Sequence, residues 1–176
     1  LLQTLKTPSK PEISFSDDPL RMMRAARFAS QLGFEIEPET FDAMRDMAER
    51  ITIISAERVR DELSKLLLSS DPRPGLEALV DSGIAAIVLP ELPALKLEAD
   101  EHHHHKDVYQ HTLTVVMQAI DYEKDYGLEK DLILRLAALL HDIGKPATKR
   151  LEAGGAVSFH HHDVVGSKLA KKRLQE

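Results

Sequence analysis

Cysteine is absent from this 176-residue sequence. Its absence excludes a disulfide framework and a thiolate metal site, so any bound metal would have to be held by histidine and carboxylate side chains. No apolar run approaches the roughly 20 residues that a membrane-spanning helix needs, and the first ten residues lack the charged-then-apolar order of a signal peptide. These absences fit a protein of a reducing cytoplasm and argue against a role in the membrane.

Basic residues are also in deficit, since 23 Lys and Arg are outnumbered by 29 Asp and Glu and the formal net charge is −6. Affinity for phosphate backbones comes mainly from Lys and Arg, so a general nucleic-acid binder is disfavoured and any RNA contact should be a local patch. All nine histidines lie between His102 and His162, which indicates that the two halves differ in chemistry. The chain begins without methionine and stops inside a predicted helix, which suggests a fragment.

Alternating strand patterns are scarce and only residues 155–159 could be extended, so the predicted fold class is all-α. Asp18 and Pro19 predict the N-cap and the first position of a helix that ends at Gly33. Apolar residues at helical spacing predict further helices at residues 38–50, from 55 to a break at 71, at 76–81, 107–122 and 131–141, and from 163 onward.

The domain organisation follows from composition. Pro8, Pro11 and short polar stretches predict an extended segment at the start of the chain, and the polar, histidine-rich segment 96–106 is the best candidate for a linker. Its run His102–His105 is expected to bind metal loosely or not at all, because four consecutive histidines cannot share one helical face. We therefore predict an extended lead-in, a helical neck and body domain, and a third helical domain that is incomplete, at residues 1–15, 16–98 and 99–176.

A row of arginines marks the first predicted helix. Arg21, Arg24 and Arg27 lie three residues apart, and Gln31 continues the row, while nearly every residue between them is apolar. A helix that is apolar on most of its circumference is expected to be buried on most of it. Because an unpaired interior charge is costly, the arginines require an anionic partner.

Two kinds of partner are open, and the spacing alone does not choose between them. The arginines could pair with Asp17, Asp18 or the acidic helix predicted at 38–50. Alternatively, they could meet a bound nucleotide. Asp18 lies one turn before Arg21, and a carboxylate beside a planar donor fork can offer a hydrogen-bonding edge to a nucleobase while neighbouring arginines meet phosphates.

The segment DDPLRMMRAARFASQLGF resembles the neck-domain signature of class II tRNA nucleotidyltransferases and poly(A) polymerases, and ISAERVRDELSKLL at 54–67 is similar to the next neck motif of that family. The resemblance implies that an acidic-Asp-x-x-Arg motif selects CTP and then ATP. Asp18 and Arg21 would present the base-pairing edge, and Arg24 and Arg27 would complete the nucleotide pocket. At the preceding position the family usually has Glu where this chain has Asp.

A second group of polar residues lies in the histidine-rich half. His111 occurs in DVYQHTL, His141 and Asp142 occur in LLHDIGKP, and His162 occurs in FHHHDVVG. Imidazole and carboxylate together suit Zn, Mn, Fe, Ni or Mg. Isolated histidines are more often core or surface residues than ligands, but His141 ends a strongly apolar run and has a carboxylate as its direct neighbour.

This pattern resembles the HD superfamily of metal-dependent phosphohydrolases. The resemblance implies that His111, His141 and Asp142 are metal ligands, and that Lys145 and His162 could contact phosphate or a second metal; a solvated Lys145 is an equal alternative. The distal aspartate of the superfamily is expected beyond Glu176. Many bacterial nucleotidyltransferases of the family carry a neck followed by an HD domain, so the two resemblances support each other.

The combined resemblance implies an enzyme that adds CCA, or A alone, to the 3′ end of tRNA or another RNA, with CTP and ATP as substrates. We find no Gly-Gly turn followed by paired strand aspartates, so the catalytic head with its Mg ions is expected upstream of this chain, which would hold no catalytic residue for transfer. The alternatives are a free-standing HD phosphohydrolase acting on phosphomonoesters or 2′,3′-cyclic phosphates, and a non-enzymatic RNA-binding scaffold. The sequence does not specify an oligomeric state.

Overall fold

A computed structural model describes residues 3–96 and 107–176 of the chain. The predicted all-α class is confirmed. The helices are α1 (Pro11–Asp17), α2 (Leu20–Leu32), α3 (Pro38–Asp46), α4 (Ala56–Leu67), α5 (Arg73–Asp81), α6 (Ile84–Val88), α7 (Val108–Asp125), α8 (Leu132–Leu140), α9 (Lys145–Thr148) and α10 (His162–Gln175), with 3-10 turns at Ala48–Ile53 and Pro93–Leu95. None of the helices in the described part is long and apolar enough to cross a membrane.

Two pairs of short strands accompany the helices. Strand β1 (Thr4–Leu5) pairs in parallel with β2 (Glu35–Ile36), and β3 (Arg150–Leu151) pairs antiparallel with β4 (Val157–Ser158). The second pair forms a hairpin, so the stretch predicted to be extended at 155–159 contributes only two residues to a strand.

The chain divides into two compact units. The first contains the described residues up to Pro90 together with Leu128–Leu132, and the second contains those of Glu91–Gly127 and Ile133–Glu176. The predicted boundary at residues 98 and 99 lies outside the described residues, as does the histidine run His102–His105.

The first unit is organised around α2, which packs against α4 and α5. Its inward face is apolar and buried, and so are the facing sides of the two partner helices; the buried residues include Met22, Met23, Ala26, Leu66, Leu67, Leu76 and Leu79. Gly75 lies where α5 crosses α2, and its N–H donates a hydrogen bond of 2.8 Å to the hydroxyl of Ser30. The absence of a side chain at this position permits the close approach of the two helices.

The predicted end of α2 at Gly33 agrees with the structure, whereas the helix begins at Leu20, one residue later than predicted. A side-chain oxygen of Asp18 accepts a hydrogen bond from the backbone N–H of Leu20 at 3.2 Å, as an N-cap residue does. Gly33 has a left-handed φ of 66°, and its N–H closes the helix on the carbonyl of Ala29. Local capping chemistry therefore sets both ends of this helix.

The predicted extended lead-in is wrong over residues 11–15, where the structure has helix α1. Pro11 occupies the first turn of this helix, where a missing N–H removes no intrahelical hydrogen bond. Ser14 and Phe15 are fully buried. Packing of the aromatic side chain into the core therefore stabilises a short helix that proline content argued against.

Other helix boundaries also differ from prediction, and the helix expected at 107–122 continues to Asp125. The helix expected at 38–50 ends at Asp46, and a 3-10 turn begins at Ala48 because the chain must redirect Ile51 into the core. The helix expected at 76–81 begins earlier, at Arg73, where a carboxylate oxygen of Asp71 accepts the N–H of Arg73 at 3.1 Å.

The second unit contains α7 to α10. Its apolar core is formed by inward residues of α7 and α8 and of the turn that follows α8. The core includes Val108, Leu113, Val116, Ile120, Ala138, Leu139 and Ile143. Arg135 of α8 forms a buried ion pair with Glu123 of α7. Arg173 of α10 binds Glu91 through two nitrogens at 2.9 and 3.0 Å, which ties the last helix to the start of the unit.

Replacing Gly75 with alanine is expected to destabilise the first unit. The added Cβ would lie 2.6 Å from the backbone oxygen of Ala26 and 2.8 Å from Cδ1 of Leu66. Alanine is favoured over glycine inside a helix by about 1 kcal/mol, but overpacking costs about 1–3 kcal/mol and a backbone oxygen cannot rotate away. We expect urea denaturation to give a free energy of unfolding lower by about 1 kcal/mol or more.

The control is Lys65→Ala on the exposed side of α4, which should change that free energy by less than about 0.5 kcal/mol. A Gly75→Ala variant as stable as the parent would contradict close packing between α2 and α5.

Candidate functional site

The arginine row of α2 is less buried than the sequence predicts. Arg21 lies in solvent and donates from Nη1 to the carbonyl and the hydroxyl of Ser14 at 3.2 and 3.0 Å. The side chain of Arg24 is 41% exposed and that of Arg27 is 15% exposed. Only Arg27 therefore meets the expectation of a largely interior guanidinium, because the row turns outward toward the start of the helix.

Glu62 of α4 is the acidic partner of two of these arginines. It is buried and accepts from Nε of Arg27 at 2.7 Å and from Nε of Arg24 at 3.4 Å. The acidic partner predicted on helix 38–50 therefore lies on α4 instead. The sequence pattern indicates that Glu62 is buried, since it lies three residues after Val59 and four before Leu66, on the apolar stripe of that helix.

Asp18 is held at the start of α2 by contacts with both of its oxygens. Arg58 of α4 donates to them at 3.1 and 3.3 Å, and Nη1 of Arg24 lies 3.8 Å from Oδ2. Together with the bond from the backbone N–H of Leu20, these contacts fix the carboxylate while leaving 22% of the side chain exposed. Asp17 beside it is exposed. Pairing with protein acids, one of the two alternatives left open by the sequence, is therefore found for Arg24 and Arg27, with Asp18 as a predicted partner and Glu62 as one that was not predicted.

The predicted metal ligands come together in the second unit. His111 projects from α7, and His141 and Asp142 follow the end of α8; one ligand atom of each lies within 4.8 Å of the others. Nε2 of His141 is 3.1 Å and Nε2 of His111 is 3.9 Å from Oδ2 of Asp142. Two imidazoles and a carboxylate are a donor set that divalent metals accept, so the cluster is compatible with a metal site.

The orientation of the imidazoles favours ligation through Nε2. Nδ1 of His141 is 2.7 Å from the carbonyl oxygen of Ala138, and Nδ1 of His162 is 2.9 Å from that of Phe159. A carbonyl can only accept, so each Nδ1 carries a proton and the lone pair of a neutral ring lies on Nε2. Backbone partners of this kind fix the rings of metal-binding histidines.

Asp142 is the centre of this group. Its side chain is only 4% exposed, and Nζ of Lys145 lies 2.7 Å from Oδ2 while Nε2 of His162 lies 3.7 Å from Oδ1. Lys145 also lies 5.7 Å from the centre of the Phe159 ring. The buried carboxylate therefore lies close to the other four residues that the sequence pattern indicated: His111, His141, Lys145 and His162.

A close backbone contact brings His162 to the site. A Cβ on Gly144 would lie 2.1 Å from the carbonyl oxygen of His162 and 2.6 Å from the backbone nitrogen of Gly166. The turn after α8 and the first turn of α10 therefore touch directly. His161 has a left-handed φ of 60°, which is uncommon outside glycine and turns the chain into α10 at this point.

Comparison with known proteins places both halves of the chain. Residues 33–95 match the family model described as the probable RNA and SrmB-binding site of polymerase A, and residues 108–176 match the HD domain model. The A-adding tRNA nucleotidyltransferase of Deinococcus radiodurans is 41% identical over 163 residues. Over the aligned residues, the chain is similar to the tRNA nucleotidyltransferases. The resemblance noted in the sequence is thereby confirmed.

Further relatives of the family agree. The multifunctional CCA protein of Pseudomonas fluorescens Pf-5 is 37% identical over 165 residues, and that of Neisseria gonorrhoeae NCCP11945 is 40% identical over 158 residues. The three alignments cover 87–90% of this chain but only 36–38% of the relatives. The chain therefore spans less than half the length of the curated relatives it matches.

Removal of the Glu62 carboxylate is expected to destabilise the first unit. Glu62→Ala deprives two arginines of their shared acceptor, and hydrogen bonds between charged groups contribute about 1.5–3 kcal/mol when one partner is lost. We expect the free energy of unfolding in urea to fall by about 2 kcal/mol.

Asp61→Ala is the matched control, because Asp61 is adjacent, exposed and paired with the exposed Arg60. Its effect should stay below about 0.5 kcal/mol. Equal effects of the two substitutions would rule out a special role for Glu62 in holding the arginine row.

Proposed function

We propose that this chain supplies nucleobase selection and RNA positioning to a tRNA nucleotidyltransferase that adds CCA, or A alone, to RNA 3′ ends. Asp18, Arg21, Arg24 and Arg27 bind the incoming CTP or ATP. The transfer step itself, with its Mg ions, belongs to a catalytic head outside this chain. The tRNA 3′ end is the partner, and the matched RNA-binding region is its site.

The observation that carries this proposal is the fixed but accessible carboxylate of Asp18, one turn away from the exposed guanidinium of Arg21. A carboxylate accepts about four hydrogen bonds, and Leu20 and Arg58 donate three to Asp18, two of them to Oδ1. One position on Oδ2 can therefore accept the amino group of cytosine or adenine. Arg21, one turn away and exposed, can donate to the ring nitrogen of the same base.

The remaining arginines suit phosphate binding to different degrees. Arg24 is half-exposed. It shares Asp18 with Arg58 and Glu62 with Arg27, so it can turn an N–H group toward a triphosphate. Arg27 is held more tightly by Glu62 and Gln31. In this proposal Glu62 keeps the two guanidinium groups in place before the nucleotide arrives, which lowers the cost of binding.

Arg21→Ala in the full-length enzyme is expected to relax the choice between CTP and ATP while leaving RNA affinity unchanged, because Arg21 contacts the base and not the RNA. Loss of a base contact worth about 1–3 kcal/mol corresponds to roughly 5- to 150-fold in selectivity. The measurement is the ratio of kcat/KM values for the two nucleotides, with tRNA affinity determined by filter binding.

Arg45→Ala serves as the control, since Arg45 is exposed on α3 and pairs with Asp42. It should change neither the nucleotide ratio nor RNA affinity. If Arg21→Ala kept the parent's selectivity, the assignment of Arg21 to base selection would have to be abandoned.

We propose as a second function that the HD domain hydrolyses phosphomonoesters or 2′,3′-cyclic phosphates with a bound divalent metal. The convergence of His111, His141 and Asp142 supports this function. A metal ion held there, whether Mg, Mn, Ni, Fe or Zn, would polarise a phosphoryl oxygen and lower the pKa of a bound water.

The chain's own residues have distinct parts in this second function. Asp142 would hold the cation through Oδ2, and Nε2 of His111 and His141 would complete the chain's contribution. Lys145, whose Nζ lies 2.7 Å from that oxygen, would bind the substrate phosphate. His162, whose Nε2 lies 3.7 Å from the other oxygen, would contact the phosphate or a second metal.

Asp142→Ala is expected to abolish stoichiometric metal binding, because it removes the buried anionic ligand and leaves two partly exposed imidazoles. Elemental analysis after dialysis against Mn²⁺ or Ni²⁺ measures the loss, and 2′,3′-cyclic AMP and p-nitrophenyl phosphate report hydrolysis.

The control is Asp163→Ala, on the exposed first turn of α10, which should retain the metal. Full metal content in Asp142→Ala would refute the ligand assignment. A metal-loaded parent that hydrolyses neither substrate would leave the HD domain as a metal-binding scaffold.

A further inference from the structure

A buried ion pair joins the two helices that carry the candidate metal ligands. Arg135 of α8 is 1% exposed and Glu123 of α7 is 3% exposed. Nε of Arg135 lies 3.0 and 3.2 Å from the two carboxylate oxygens, and Nη2 also bonds to Oε2. The guanidinium of Arg135 therefore binds the carboxylate of Glu123 through two nitrogens, a geometry that fixes the relative orientation of the two groups as well as their separation.

The pair lies away from the metal ligands on both helices. Glu123 follows His111 by twelve residues, and Arg135 precedes His141 by six. At a rise of 1.5 Å per residue these separations are about 18 and 9 Å along the helix axes. Neither side chain can be a ligand, so any effect on the site must pass through the position of the helices.

Stability alone does not account for such a pair. Removing two charges from water is expensive, and replacing a buried ion pair with apolar residues of similar volume is often neutral or stabilising. Val116, Ile120 and Leu139 are also buried on these helices, but apolar packing tolerates shifts between helices better than a two-nitrogen ion pair does. The contribution of the ion pair is to restrict α8 to a single register against α7.

We propose that Arg135 and Glu123 are positioning residues for the metal centre. The ion pair fixes the register and rotation of α8 on α7. It thereby places the imidazole of His111 beside the imidazole of His141 and the carboxylate of Asp142. This inference rests on the proposed metal site. In the structure the rings of His111 and His141 meet edge to face, with centroids 5.5 Å apart, and this contact depends on the register.

The test compares the parent with an apolar double variant, Glu123→Leu with Arg135→Met, and a reversed pair, Glu123→Arg with Arg135→Glu. Thermal unfolding without metal measures stability, and a Co²⁺ titration followed by visible absorbance measures affinity and ligand geometry. The apolar variant should unfold within a few degrees of the parent yet bind Co²⁺ at least about tenfold more weakly, as when an outer support of a metal ligand is lost. The reversed pair should regain most of that affinity.

A second measurement does not require metal. In the parent, the ring protons of His111 and His141 should show a nuclear Overhauser effect, and the apolar variant should lose it. The control is Glu91→Leu with Arg173→Met, which removes another ion pair of the same unit that does not join α7 to α8. It should change neither the ring contact nor Co²⁺ affinity.

The outcomes separate the two proposals. An apolar variant that keeps the parent's ring contact and Co²⁺ affinity overturns the positioning role. A parent that binds no Co²⁺ refutes the metal site, and the ring contact then still decides whether the ion pair sets the register. Should the apolar variant fail to fold, Glu123→Gln, which keeps the volume and loses the charge, replaces it in both measurements.

Discussion

A buried carboxylate must have a cationic partner, and this constraint organises both units of the chain. Glu62, Glu123 and Asp142 are each nearly inaccessible to solvent. Each lies against basic side chains: Glu62 binds Arg24 and Arg27 of α2, Glu123 binds Arg135, and Asp142 contacts Lys145 and lies close to three histidines. Because an unpaired interior charge costs several kcal/mol, each carboxylate selects a single arrangement of the segments around it.

The same constraint connects structure to function. In the first unit, Glu62 holds Arg24 and Arg27 while the exposed end of the row stays available, so the charges are organised without being fully neutralised. In the second unit, Asp142 pairs with the ammonium group of Lys145, and in the proposed metal site it would hold the metal ion. Both proposed sites thus use carboxylates of the protein to arrange positive charge where a phosphate-bearing substrate would bind.

Much of the fold and of the sites was predictable from sequence. The limits of α2 follow from Asp18 and Gly33, whose capping chemistry is local. The resemblance to the HD superfamily indicated His111, His141 and Asp142, and the structure brings them together. The helix at Pro11–Asp17 was not foreseen, because its stability comes from burying Phe15 in a core built by later segments.

The sequence by itself determined the helical class, the position of the arginine row and the resemblance to the tRNA nucleotidyltransferases, since each depends on residues close together in the chain. Only the tertiary structure decided that Arg27 is interior while Arg21 is exposed, that Glu62 is the partner of the row, and that His162 reaches Asp142 through the contact of Gly144 with α10. The physical reason is distance along the chain. Helical periodicity reports which face of a segment is buried, whereas the choice of partner for a buried charge depends on how segments tens of residues apart pack together.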